Sequence, residues 1–269
     1  MIIDIHVHCF PDGLAPKVIP VLEQESGFTA YTDGSIKDLK RTMSDAGIDI
    51  SVIQPVATKP NQTISINRWA ISMQQDTGIL SFGTIHPDFP DWKKEIKFLA
   101  DAGIKGIKFH PNHQNYFLDD PKNFPIYEEI FKSGLVILFH LGIDLWTADG
   151  EKSTPLRLKN VLKAVPGGTV IAAHMGGYAY WDDVEEHLVG MKNVYLDTAY
   201  AFRKVGDIFL EEKRLMRMIK QHGVDRILFA TDSPWTDSVV EVSDIRSLEL
   251  SEEDIQKILG KNAQRLLNL

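Results

Sequence analysis

The sequence predicts an α/β protein of the distorted (β/α)8 TIM-barrel class. Short apolar runs and helical patterns alternate about eight times, at a spacing of roughly thirty residues. Several of the runs are apolar on both faces, as parallel strands buried beneath helices must be. The 269 residues suit one barrel domain spanning 1–269, and no Pro- or Ser-rich linker divides them. A doubly wound open sheet is the alternative. It would carry a glycine-rich phosphate turn after its first strand, and none is present there.

The first strand is the run Met1–His8. A proline-containing loop over 9–35 follows, then a helix over Ile36–Ala46, where Ile36, Leu39 and Met43 recur at helical spacing. Asp49–Val56 reads as the second strand, Ile66–Asp76 as a helix and Ile79–Ile85 as the third strand. The next helix is Asp91–Ala102, with Gly103 as its C-terminal stop. The fourth strand is Ile104–His110, followed by a helix through Ile126–Lys132, and the fifth is Leu135–His140. After a polar loop, Pro155 opens a helix that runs to about Val165, proline being well tolerated in a first turn. Thr169–His174 is the sixth strand, Trp181–Leu188 a helix, Val194–Thr198 the seventh strand, and a helix falls within Asp207–His222. Arg226–Asp232 is the eighth strand. The rest is helical from Ser251, an N-cap with Asp254 three residues on.

The bulk chemistry narrows the function. With 29 Lys and Arg against 37 Asp and Glu, the net charge is −8 and no basic block offsets it, which argues against nucleic acid as a partner. The single cysteine, Cys9, rules out an internal disulfide and a cysteine-cluster metal site; it reads as a small filler residue. No apolar stretch is long enough for a membrane span and no signal peptide is evident, so a cytoplasmic protein is expected.

The chemistry-bearing residues fall at strand ends. Side chains alternate along a strand, so His6 and His8 point the same way and aim two imidazoles at one point, with Asp4 one rung deeper. His110, His140, His174 and Asp232 then close the fourth, fifth, sixth and eighth strands. A purely structural barrel has no need of such groups at five strand ends, whereas the sites of barrel enzymes gather there. Imidazole nitrogens with a carboxylate suit zinc, and also iron(II), manganese or cobalt.

These residues lie in segments that together resemble the amidohydrolase superfamily: Ile-Asp-Ile-His-Val-His at 3–8, Gly106-Ile107-Lys108-Phe109-His110-Pro111, Phe139-His140-Leu141-Gly142, Ala173-His174-Met175-Gly176-Gly177, Ala230-Thr231-Asp232-Ser233-Pro234 and the closing 259–267 segment. The ordered set covers nearly the whole chain and is most similar to the branch containing aminocarboxymuconate semialdehyde decarboxylase. The resemblance implies one divalent metal held by His6, His8, His140 and Asp232. It further implies a metal-activated water as nucleophile, Asp232 as proton acceptor, and His174 polarising the substrate or shuttling a proton.

Other residues have open roles. Lys108 is expected as an unmodified contact to a substrate carboxylate or phosphate, with carbamylation and a second metal as the alternative. His110 is a substrate contact or supports a ligand, and His113 is expected at the surface. Asp4 and Asp197 either support a ligand or serve structure alone, as a backbone-bonded carboxylate and a helix cap. Trp146, with Phe10, Phe28 and Tyr31, lies on loops that could close over a small-molecule substrate or form a homodimer contact. The leading expectation is hydrolysis of a small amide, ester or lactone. The alternatives are non-oxidative decarboxylation of an aromatic or enoic acid, with Lys108 or Arg203 meeting the departing carboxylate, and a non-catalytic metal-binding barrel.

Overall fold

A computed structural model of the chain describes residues 1–147 and 149–269. They form two compact units, one of Met1–Ile53, Gly78–Leu80 and Asp197–Leu269, the other of Gln54–Thr77 and Ser81–Leu196. Both are parallel α/β structures.

The first unit is centred on β1 (Ile3–Val7), every residue of which is buried. After α1 (Ala15–Ser26) and α2 (Ile36–Ala46), β2 (Ile50–Ile53) returns parallel to β1, pairing Ile3 with Ile50 and Asp4 with Ser51. The pairing then slips, so that Val7 meets Ile53; β1 carries one extra residue just where its histidines begin. β3 (Ile79–Ser81) follows on the far side of β2. The other flank of β1 is bound by the segment after residue 226: Ile5 N–H donates to Phe229 O, and Asp232 N–H to His6 O at 2.8 Å. Ser35 caps α2 and Gly47 ends it in a left-handed conformation.

The second unit contains α3 (Thr63–Met73), β4 (Gly83–Thr84), α4 (Trp92–Asp101), β5 (Gly106–Phe109), α5 (Phe124–Lys132), β6 (Val136–Phe139), α6 (Pro155–Ala164), β7 (Val170–Ala172), α7 (Trp181–His187) and most of β8 (Val194–Asp197). Strands β4 to β8 pair in parallel in chain order, in continuous register from β5 to β8. Strands β5, β6 and β7 are buried throughout.

The elements after β8 return to the first unit: α8 (Glu212–His222), β9 (Ile227–Leu228), α9 (Ser238–Ser247), α10 (Glu252–Gln256), a π turn over Lys257–Lys261 and α11 (Asn262–Leu267). The closing segment has a clear task. Asn262 Nδ2 donates to the carbonyls of Val224 and Ile227, and a side chain at Gly260 would strike the carbonyl of Met1, so this segment seats both β9 and the start of β1. No helix among the described residues is long and apolar enough to cross a membrane.

Three expectations change. The run 79–85 is two strands broken at Phe82. The loop 9–35 contains α1, hidden from a pattern reading by Pro16 in its first turn and Pro20 inside it. Helix α9 was not expected, because Val239, Val240, Val242 and Ile245 are β-branched residues that favour strands.

Gly142 sets the path of the loop after β6. Its φ is +90°, and a Cβ there would collide with the backbone of Tyr178. Gly142→Ala is therefore expected to cost more than ~2 kcal/mol, read as a lower urea midpoint at unchanged slope.

Candidate metal centre and its surroundings

His6 and His8 converge as the strand alternation requires. Their Nε2 atoms are 3.2 Å apart, and Asp232 Oδ1 lies 3.3 Å from each. The three donors form a nearly equilateral triangle. An edge of about 3.3 Å divided by √3 puts its centre about 1.9 Å from each corner, so an ion at ~2.0–2.2 Å from each donor sits just off the plane. His6 and Asp232 are buried and His8 is partly open, its side chain 22% exposed.

Charge makes the same demand. Asp197 Oδ2 stands 3.0 Å from His6 Nδ1 and accepts its N–H, which leaves the Nε2 lone pair facing the carboxylate of Asp232. Two acceptors this close repel unless a cation lies between them. The residues present therefore fit a divalent ion.

Asp4 and Asp197, expected on similar terms, do different work. Asp4 accepts from Thr231 N–H and Oγ1–H and from His6 N–H, and so ties β1 to the segment that carries Asp232. Burial pushes its carboxyl up to about 7, against the Thr231 hydrogen bonds that pull it down. Asp197 instead orients an imidazole, and its other oxygen accepts from Ala199 N–H. The sequence signal for Asp197 was its place at a strand end.

In the second unit, His140 and His174 touch, Nδ1 to Nε2, at 3.1 Å. His110 stacks on His140 with ring centroids 4.0 Å apart and planes 12° from parallel. His174 and, in the first unit, Asp232 have φ of +60° and +62°, a left-handed conformation costing ~1–3 kcal/mol in a residue other than glycine. Lys108 is fully buried on β5. His113, expected at the surface, is half-buried, its ring 4.1 Å from that of His110 and its Nε2 3.7 Å from Asp144 Oδ2. Trp146 is half-buried beside it, ring centroids 6.4 Å apart.

Arg203 does not carry a charge left over for a substrate. Its Nε donates to the buried carboxylate of Glu241 at 2.6 Å, with Asp244 at 3.6 Å from Nη2. Burial pushes Glu241 up to about 7 while Arg203 pulls it down.

Residues 3–269 match a family model described as Amidohydrolase. No curated protein matches the sequence. Among solved structures, an uncharacterized Tim-barrel protein from Bordetella bronchiseptica is 17% identical, with 99% of this chain and 98% of that one covered at a TM-score of 0.75. A 5-carboxyvanillate decarboxylase from Sphingomonas paucimobilis is 15% identical, with 100% and 99% covered at 0.74. A dihydroxybenzoic acid decarboxylase from a Polaromonas species, with bound manganese and the inhibitor 2-nitroresorcinol, is 17% identical, with 100% and 97% covered at 0.73. These full-length likenesses give the chain the TIM-barrel class.

Two outcomes follow. Asp197→Asn is expected to weaken zinc binding about 10- to 100-fold by calorimetric titration, with the thermal midpoint of the metal-free protein changed far less. Arg203→Ala leaves Glu241 buried without its counter-charge and is expected to cost about 3–5 kcal/mol. An acid whose folded pKa lies above its unfolded value destabilises as pH rises, so urea melts should show a larger defect at pH 8 than at pH 5.

Proposed function

We propose, since the chain belongs to the amidohydrolase family, that it is a metal-dependent, non-oxidative decarboxylase of a small aromatic or enoic acid, working as a single domain over residues 1–269. The observation that carries the metal is the triangle of His6, His8 and Asp232. The reaction class is supported by the decarboxylases among its full-length structural likenesses, and this moves the reading away from the hydrolysis that the sequence pattern favoured.

The proposal keeps the expected roles of His140 as a metal ligand and of Lys108, His110 and Trp146 as substrate contacts. Two imidazoles with a carboxylate suit zinc or manganese, and manganese is the ion named with the Polaromonas relative. When bound, the cation supplies Lewis acidity that draws charge out of the reacting acid.

The remaining work falls to the protein. In this reading Asp232, whose Oδ1 lies in the triangle, also carries a proton for the reaction. His174, its Nε2 lying against His140, offers Nδ1 as a second proton-carrying atom. As the carbon–carbon bond breaks, the electron pair stays on the substrate carbon, one of these acids protonates it, and carbon dioxide leaves. No electron is gained or lost overall.

Protein loaded with zinc or manganese is expected to release carbon dioxide from 2,6-dihydroxybenzoate, 5-carboxyvanillate or a related acid, placing one solvent deuterium at the vacated carbon. The His6→Ala/His8→Ala variant should lose about 10³-fold or more in rate, the several kcal/mol that Lewis acidity contributes. Turnover of lactones or amides without carbon dioxide release would return the assignment to hydrolysis.

A further inference from the structure

A second group of ligand-type side chains lies in the second unit, on the loops that follow β5 and β6. His110, His113 and Asp144 each present one donor atom, all within 4.8 Å of one another. We propose that these three residues bind a second divalent cation of the zinc type, which pins the loop after β5 to the loop after β6.

Asp144 makes the strongest demand. Its side chain is fully buried, and no lysine or arginine among the described residues pairs with it. Oδ1 accepts from Trp146 N–H at 3.2 Å and Oδ2 from Thr147 Oγ1–H at 3.0 Å, both neutral donors, and the nearest basic atom is His113 Nε2 at 3.7 Å. A buried carboxylate in such company calls for a positive charge. A distance of 3.7 Å is too long for a hydrogen bond but fits two ligands on one ion, which stand ~3.0–3.7 Å apart when each is ~2.1 Å from it.

The imidazoles suit this role. His113, His110 and His140 lie in a row, with ring centroids 4.1 and 4.0 Å apart. Imidazole nitrogens are common ligands for zinc-type ions, and here they stand beside a buried carboxylate. The carboxylate is already fixed by its own loop, where Asp144 N–H also donates to Asp149 O at 3.1 Å. His113 is the most exposed of the three, its side chain 29% exposed against 0% for Asp144. Two nitrogens and one carboxylate oxygen select zinc, cobalt or a similar ion over magnesium or calcium.

The test is a zinc titration of the full-length protein, with metal per chain measured after dialysis. Wild type is expected to bind two equivalents, the His6→Ala/His8→Ala variant one, and His113→Gln and Asp144→Asn one each. Cobalt bound in the His6→Ala/His8→Ala variant should quench fluorescence, with the quenching lost in Trp146→Phe, because Trp146 lies against His113. Three results would overturn the proposal: one equivalent in wild type that vanishes with His6 and His8, a second equivalent that survives both His113→Gln and Asp144→Asn, or one lost in Lys108→Ala alone. A variant lacking His6 and His8 that keeps its single equivalent, in a wild type that binds only one, would support this site and refute the triangle.

Discussion

Two imidazole nitrogens and a carboxylate oxygen meet within 3.3 Å in the first unit. Ligand-type atoms this close, on residues largely shut off from water, must be fixed by the backbone. The ladder on both flanks of β1 does so. Asp232 N–H binds His6 O, so the backbones of two ligands are bonded to each other directly, and Ser233 O accepts from His8 N–H. Asp4 adds a side-chain tie between the same two segments through Thr231. The buried carboxylates here thus divide into one that fixes backbone register (Asp4), one that fixes an imidazole's tautomer (Asp197) and one that meets both imidazoles (Asp232).

Backbone strain falls on the same kind of residue. His174 and Asp232 take left-handed conformations without being glycine, at a cost of ~1–3 kcal/mol each. A sequence under selection for stability alone would place glycine or asparagine there. Met175, Ala179 and Tyr200 take the same conformation, so at His174 and Asp232 it is the place at a strand end, together with the strain, that points to chemistry.

Much of this was legible in the sequence, for identifiable reasons. Helix α2 begins and ends as its apolar spacing and its flanking Ser35 and Gly47 require, and Ser251 caps α10 as expected. The convergence of His6 and His8 follows from strand alternation, although β1 slips one residue against β2, a detail set by tertiary packing. Side-chain bonds across long sequence distances were not legible. Asp4 and Asp197 looked equivalent, each a carboxylate on or beside a buried strand, and only the fold assigns one to Thr231 and the other to His6. His113 looked like a loop histidine because its partner Asp144 lies on the following loop, where no spacing rule connects the two. Helix α9 was invisible because its β-branched residues hide the helical period, and its buried Glu241 is intelligible only beside Arg203.

That last pair also bears on how a decarboxylase should be built. Lys108 or Arg203 was expected to meet the departing carboxylate, but the Arg203 guanidinium is engaged by the buried carboxylate of Glu241. Such a contact would also run against the flow of charge in the reaction. The substrate's carboxylate carries its full negative charge in the ground state and becomes neutral carbon dioxide, while the charge moves onto the carbon framework. A cation on the carboxylate would bind the ground state more tightly than the transition state and slow the reaction. Positive charge helps on the side of the substrate where electrons accumulate, and proton donors help at the carbon that receives them. For the reaction proposed here, a cation held by His6, His8 and Asp232 would supply the first and a proton carried by Asp232 or His174 the second. Arg203, neutralised by Glu241, is accordingly a structural residue, and its neutralisation removes a charge that would work against catalysis.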